Sequence, residues 1–145
     1  MTLAARRDLL TAVLDTLVPA GDGFPGAGTV ALDHVLGVAA ASADLESLLV
    51  RGLQAVEGYA QGAGGFAALD PDAREHVLRR VEGEHTELFA VLVRHTYDGY
   101  YSHPTVIARL GLDPGPVQPR GHRPEPIEMP DLARVTARGP LYRRA

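Results

Sequence analysis

The chain is expected to be all-α, and three observations point that way. Apolar residues recur at three- and four-residue spacing through most of the first 110 positions. Helix-starting residues precede several of these runs, and glycine and proline clusters separate them where strand alternation would be needed for a sheet. The expected architecture is a small bundle of about five helices over residues 1–110, followed by an extended Pro-rich arm over 111–145. Residues 84–104 are expected to form the central helix. Leu88, Phe89, Leu92, Val93, Thr96, Tyr97 and Tyr100 recur at helical spacing, and Ala90 and Val91 widen the band. Glu87, Arg94 and Asp98 leave only a narrow polar stripe.

The first helix places Leu3, Leu10, Val13, Leu14 and Leu17 on one face and Arg7, Asp8, Thr11 and Asp15 on the other. Arg6-Arg7 raises the thought of a twin-arginine export signal, but Asp8 and Asp15 interrupt the apolar run, and the expectation is a cytoplasmic chain, or one exported only by riding on a partner. Pro19 ends this helix, and residues 19–28 read as a loop. The glycines there lack the preceding strand and the Gly-Lys-Ser/Thr ending of a phosphate cradle. Phe24 within the loop either tucks onto the core, the expected outcome, or stands out as an anchor for a partner. Thr29 is expected to cap a second helix burying Leu32, Val35, Leu36, Ala39 and Ala40. After Ser42 a third runs to about Gln61, burying Leu45, Leu48, Leu49, Leu53, Val56 and Tyr59, with Gly52 and Gly58 permitting close helix contacts.

Gly62-Ala-Gly-Gly65 is a break. Asp70 then caps a fourth helix with Pro71 at its first position and Leu69 as a hydrophobic staple. Ala73, Val77, Leu78 and Val81 form its buried face, and Gly83 is expected to end or bend it. Pro104 suits the first turn of a helix following the central one. Residues 111–130 contain six prolines and cannot form regular structure. A short helical turn at Asp131 to Ala137 and the pair Leu141-Tyr142 would give such an arm two adhesive points. No run of eighteen apolar residues exists, so no membrane span is expected.

Composition narrows the function. The apolar fraction is 46% and the charged fraction 22%, as in a globular domain. Cysteine is absent, which excludes disulfides, thiolate metal sites and cysteine nucleophiles. Lysine is absent too, which excludes Schiff-base chemistry. Residues 1–119 carry 8 arginines against 15 acids, and residues 120–145 carry 6 against 3. An acidic body argues against nucleic acid, while the basic tail suits either solvent or an acidic partner surface. Glu82-x-x-His85 has the spacing of a di-iron bundle ligand pair, but its second copy is missing. His34 and His76 fall on polar faces and are expected to be solvated. His95 and His103 flank the tyrosine-rich end of the central helix, where Tyr97, Tyr100 and Tyr101 cluster. Tyr101 points farthest from the buried stripe and is the expected partner contact.

Three features occur in a telling order. Leu17-Val18-Pro19 opens into Asp22-Gly-Phe-Pro-Gly-Ala27; Leu69-Asp-Pro-Asp-Ala-Arg74 follows; then Thr96-Tyr-Asp-Gly-Tyr-Tyr-Ser-His-Pro104 precedes Leu110-Gly111. Over roughly residues 8 to 122 this set resembles the gluconate 2-dehydrogenase subunit 3 family. The resemblance implies a non-catalytic small (gamma) subunit that stabilises or matures a large GMC-type flavoprotein oxidising a sugar or related alcohol. FAD would belong to that partner and no cofactor to this chain; a cytochrome or other acceptor would receive the electrons. The expected partner contacts are Phe24, Tyr101, His103, Pro119, Arg120, His122, Arg123 and Tyr142, with no catalytic or metal residue. The alternative is a stand-alone helical enzyme or metal-binding bundle using His85, His95 and His103.

Overall fold

A computed structural model describes residues 2–112 and 131–139. The chain divides into two units, Met1–Pro114 and Gly115–Ala145. The described part of the second is a helix, α8 (Ala133–Ala137), whose start is capped by Asp131, Oδ1 accepting from the Ala133 N–H at 2.9 Å. The expected short turn at this position is therefore present. Pro119, Arg120, His122, Arg123 and Tyr142, the Pro-rich stretch and Leu141 lie outside the described residues.

The first unit is all-α. It comprises α1 (Arg7–Leu17), α2 (Ala27–Val30), α3 (Leu32–Ala40), α4 (Ala43–Ala60), α5 (Pro71–Glu84), α6 (Thr86–Ser102) and α7 (Pro104–Arg109), with short 3-10 turns at Ala4–Arg6, Gln61–Ala63 and Phe66–Ala68. Among the described residues no helix is long and apolar enough to cross a membrane.

Local chemistry sets most boundaries. The Ser42 hydroxyl accepts from the Leu45 N–H at the start of α4, and Asp70 accepts from Ala73 at the start of α5, with Pro71 supplying a first position that needs no donor. Pro104 opens α7 in the same manner. Gly83 does not end α5, which continues to Glu84; the break falls at His85, with φ −136° and ψ 49°. A helical glycine costs about 1 kcal/mol relative to alanine, too little to stop a helix already packed through Leu78 and Val81.

Thr29 is not a cap either. It is exposed within α2, which begins after Gly26 and passes directly into α3 through Ala31. The loop expected over 19–28 is therefore shorter. Its tip is a tight reversal in which Gly21 and Phe24 exchange both backbone hydrogen bonds, and Asp22 and Gly23 take φ of 51° and 81°. Two successive positive φ values are those of a type I′ turn, which an Asp-Gly pair accommodates readily. Phe24 is half-buried against the core, the tucked arrangement.

The core is shared between α1 and α6, and α6 packs against α1 to α5 and α7. Leu10, Val13 and Leu14 of α1 are fully enclosed, and α1 packs against α2, α3, α5 and α6. On α6 only the stripe Leu88, Leu92, Thr96, Gly99 and Tyr100 is buried. Its partners cover that one side, so Phe89, Val91 and Val93 are half-buried, Ala90 is exposed, and Tyr97 is 45% exposed instead of buried. In α3, Leu32, Val35 and Ala39 are buried, Leu36 is half-buried and Ala40 is exposed. Leu45, Leu48 and Tyr59 of α4, with Ala73 and Val77 of α5, are likewise only half-buried at the core's edge. Gly52 does serve close packing, since a Cβ there would meet the Leu88 side chain. Gly58 does not: nothing lies within 4 Å of its missing Cβ.

The α4–α5 pair is latched at one end. The Tyr59 hydroxyl donates to Glu84, and the Arg80 guanidinium lies 4.1 Å from the Tyr59 ring centre while pairing with Glu84. The Tyr59 bond, then Arg80, holds the Glu84 carboxyl below its ordinary range; the same bond raises the Tyr59 phenol.

Candidate functional site: the tyrosine and histidine end of α6

The C-terminal half of α6 carries two adjoining groups of side chains. The first is aromatic. Tyr100 is buried, and its hydroxyl donates to the Pro25 carbonyl at 3.0 Å, tying the end of α6 to the first loop. Tyr101 meets Tyr100 edge-to-face at 5.2 Å between ring centres and Tyr97 at 5.9 Å. The outer two rings reach solvent, Tyr101 being 55% exposed. Edge-to-face pairing holds these rings in place at little entropic cost, which suits a pre-formed contact surface. His103 caps α7, its Nδ1 accepting from the Thr105 N–H at 3.3 Å.

Burial raises the Tyr100 phenol above its ordinary value. A raised folded value means the neutral phenol is the form that folding favours. Its contribution is therefore complete below the unfolded value of about 10 and is lost as pH climbs through the folded value. Tyr100→Phe is expected to cost about 1–2 kcal/mol by leaving the Pro25 carbonyl without this donor. It should also reduce the alkaline loss of stability, which denaturant melts at neutral and alkaline pH would measure.

The second group is imidazole and carboxylate. Gly99 lets α3 approach α6 closely: a Cβ on it would stand 2.9 Å from the His34 Cβ and 3.1 Å from the Ala31 Cβ. His34 is thereby pressed against α6 next to His95, with ring centres 6.4 Å apart. Asp98, one turn after His95 and exposed, completes the group. The expectation that His34 is solvated fails because its Nε2 is sealed inside this crossing. His76 is exposed as expected.

The alternative trio His85, His95 and His103 is not assembled. His85 sits at the start of α6 and His103 just past its end. At 1.5 Å per residue they lie roughly 15 Å and 12 Å along the axis from His95. Of the expected partner contacts that are described, Tyr101 and His103 lie at this end of α6, and Phe24 neighbours the Pro25 that Tyr100 holds. The structure also joins the sequence motifs. Tyr100 links the third to the first, and the Arg109 guanidinium lies over Gly23, 2.8 Å from where its Cβ would be.

The profile of the family described as gluconate 2-dehydrogenase subunit 3 matches residues 4–113. The chain belongs to this family. No curated protein and no solved structure matches it. Matched residues of this gluconate 2-dehydrogenase subunit 3 member include α1 to α7, the aromatic end of α6 and the loop it holds.

His34 is the residue that sequence reasoning missed. Its only trace was Gly99, a glycine inside an otherwise well-formed helix, which signals a close neighbour but not which one.

Proposed function

We propose that this chain is the non-catalytic small subunit of a cytoplasmic dehydrogenase complex. Its partner is a large GMC-type flavoprotein that carries FAD and oxidises a sugar or related alcohol, passing electrons to a cytochrome or other acceptor. The small subunit stabilises or matures that partner. The family match over residues 4–113 carries the reading. The Tyr97 and Tyr101 rings support it, because half-exposed tyrosines with polar tips are enriched at interface centres and among hot spots.

An affinity pull-down of this chain from its host, followed by an absorbance spectrum of the eluate, tests the proposal. A larger protein with flavin bands should co-elute; a colourless chain eluting alone and folded would refute it. Replacing Tyr97 and Tyr101 together with alanine is expected to weaken the complex at least about tenfold. The isolated chain should keep its helical circular dichroism, since both rings are largely solvent-facing. Deleting residues 112–145 should weaken the complex too, and undiminished co-purification of that deletion would sink the idea of a wrapping arm.

A further inference from the structure

We propose that His34, His95 and Asp98 form a binding site for a divalent first-row transition ion of the zinc class, clipping α3 to α6. The inference is independent of the dehydrogenase reading and concerns the isolated chain.

Three observations carry it. First, one ligand atom from each of the three residues lies within 4.8 Å of the other two, and no other such group occurs among the described residues. Second, the His34 Nε2 and the His95 Nδ1 are both closed off from solvent and lack a hydrogen-bond partner. A buried polar atom left in that state destabilises the fold unless something binds it. Here two such atoms belong to neighbouring rings, where one ion would satisfy both. Third, the arrangement is held by the fold. His95 and Asp98 share a face at i,i+3 spacing, and Gly99 brings α3 close enough to supply His34 from across the crossing.

The donor set selects the ion. Two neutral imidazoles and one carboxylate suit zinc, nickel, copper or iron, and disfavour calcium and magnesium, which take oxygen ligands. Around zinc, ligand atoms about 2.0–2.1 Å from the metal stand roughly 3.3–3.5 Å from one another. The present separations, up to 4.8 Å, must close by up to about 1.5 Å through side-chain rotation, and the exposed Asp98 is the group with most room to move. What holds it now is weak: Arg94 Nε stands 3.7 Å and His95 Nδ1 3.9 Å from its Oδ2, both beyond hydrogen-bonding distance. Three protein ligands leave a fourth position for a solvent molecule or a group from a partner.

The test uses the untagged full-length chain, stripped with a chelator and titrated with Co2+, then competed with Zn2+. One equivalent of Co2+ should bind and give visible bands of four- or five-coordinate cobalt, which Zn2+ abolishes. At a hundredfold excess over Kd, Zn2+ should raise the melting temperature by roughly 5–10 °C. Asp98→Asn, at a solvent-facing position that leaves the fold intact, should weaken binding at least about tenfold. His34→Ala and His95→Ala should abolish it, with helicity checked by circular dichroism. Joint replacement of His76, His85 and His122 by alanine should leave binding unchanged. Absence of stoichiometric Co2+ binding to the wild-type chain would overturn the proposal. So would binding that survives Asp98→Asn undiminished, or that disappears only in the triple control.

Discussion

Replacing Phe66 with alanine is expected to destabilise the folded chain by about 3–5 kcal/mol, a large share of the roughly 5–15 kcal/mol available to a domain of this size. Phe66 heads the fully enclosed side chains, at 0% exposure, although it lies in a 3-10 turn between two helices. That turn packs against both α1 and α4, and the ring is enclosed in the core they share. The Arg74 guanidinium lies 5.9 Å from the ring centre and donates to the Ala67 carbonyl at 2.6 Å, closing the turn over it. Truncation would therefore leave a void whose walls are held by both helices and by this clasp, and such walls relax little. Urea melts would show a lower midpoint with an unchanged slope. A loss below about 1 kcal/mol would mean that the turn collapses freely onto the gap.

Gly28→Ala is expected to cost about 3 kcal/mol, at the upper end for overpacking. The added Cβ would lie 2.7 Å from the Thr11 backbone carbonyl and 2.6 Å from an Asp15 carboxylate oxygen. Asp15 cannot simply swing aside, because its other oxygen accepts from the Gly28 N–H at 2.8 Å. The Thr11 carbonyl cannot move without displacing α1, whose enclosed leucines anchor the core. Gly58→Ala is the matched control. It lies exposed inside α4 with open space around it, so the same chemical change should stabilise by about 0.4–1 kcal/mol. Opposite signs for two glycine-to-alanine changes would separate close approach from helix propensity; equal signs would remove the steric argument.

These two sites mark the limits of what the sequence made legible. Capping is local chemistry, so Ser42, Asp70 with Pro71, and Pro104 announced their helices correctly. Periodicity found the buried residues of α1 and the inner stripe of α6, because both sit within one helix. It overestimated α6, because an apolar residue facing outward and one facing inward look alike when the positions of neighbouring helices are unknown. Tyr97 is the example. Phe66 went unnoticed because a ring in a turn belongs to no repeat. Gly26 and Gly28 read as loop glycines, whereas their role depends on Asp15, more than ten residues earlier. The candidate site divides the same way: Tyr101 announced its exposure through its helical phase, while His34 joined His95 only through a helix crossing at Gly99.

Leu3 is 1% exposed, and its N–H donates to the Glu46 carboxylate of α4 at 3.2 Å. Leu3 thus works as a bung seated in the bundle. A protease could not reach the backbone at this residue until the bundle opens, because its side chain and its N–H are both held. Resistance to cleavage there would then report the opening of the whole fold and not a local fraying.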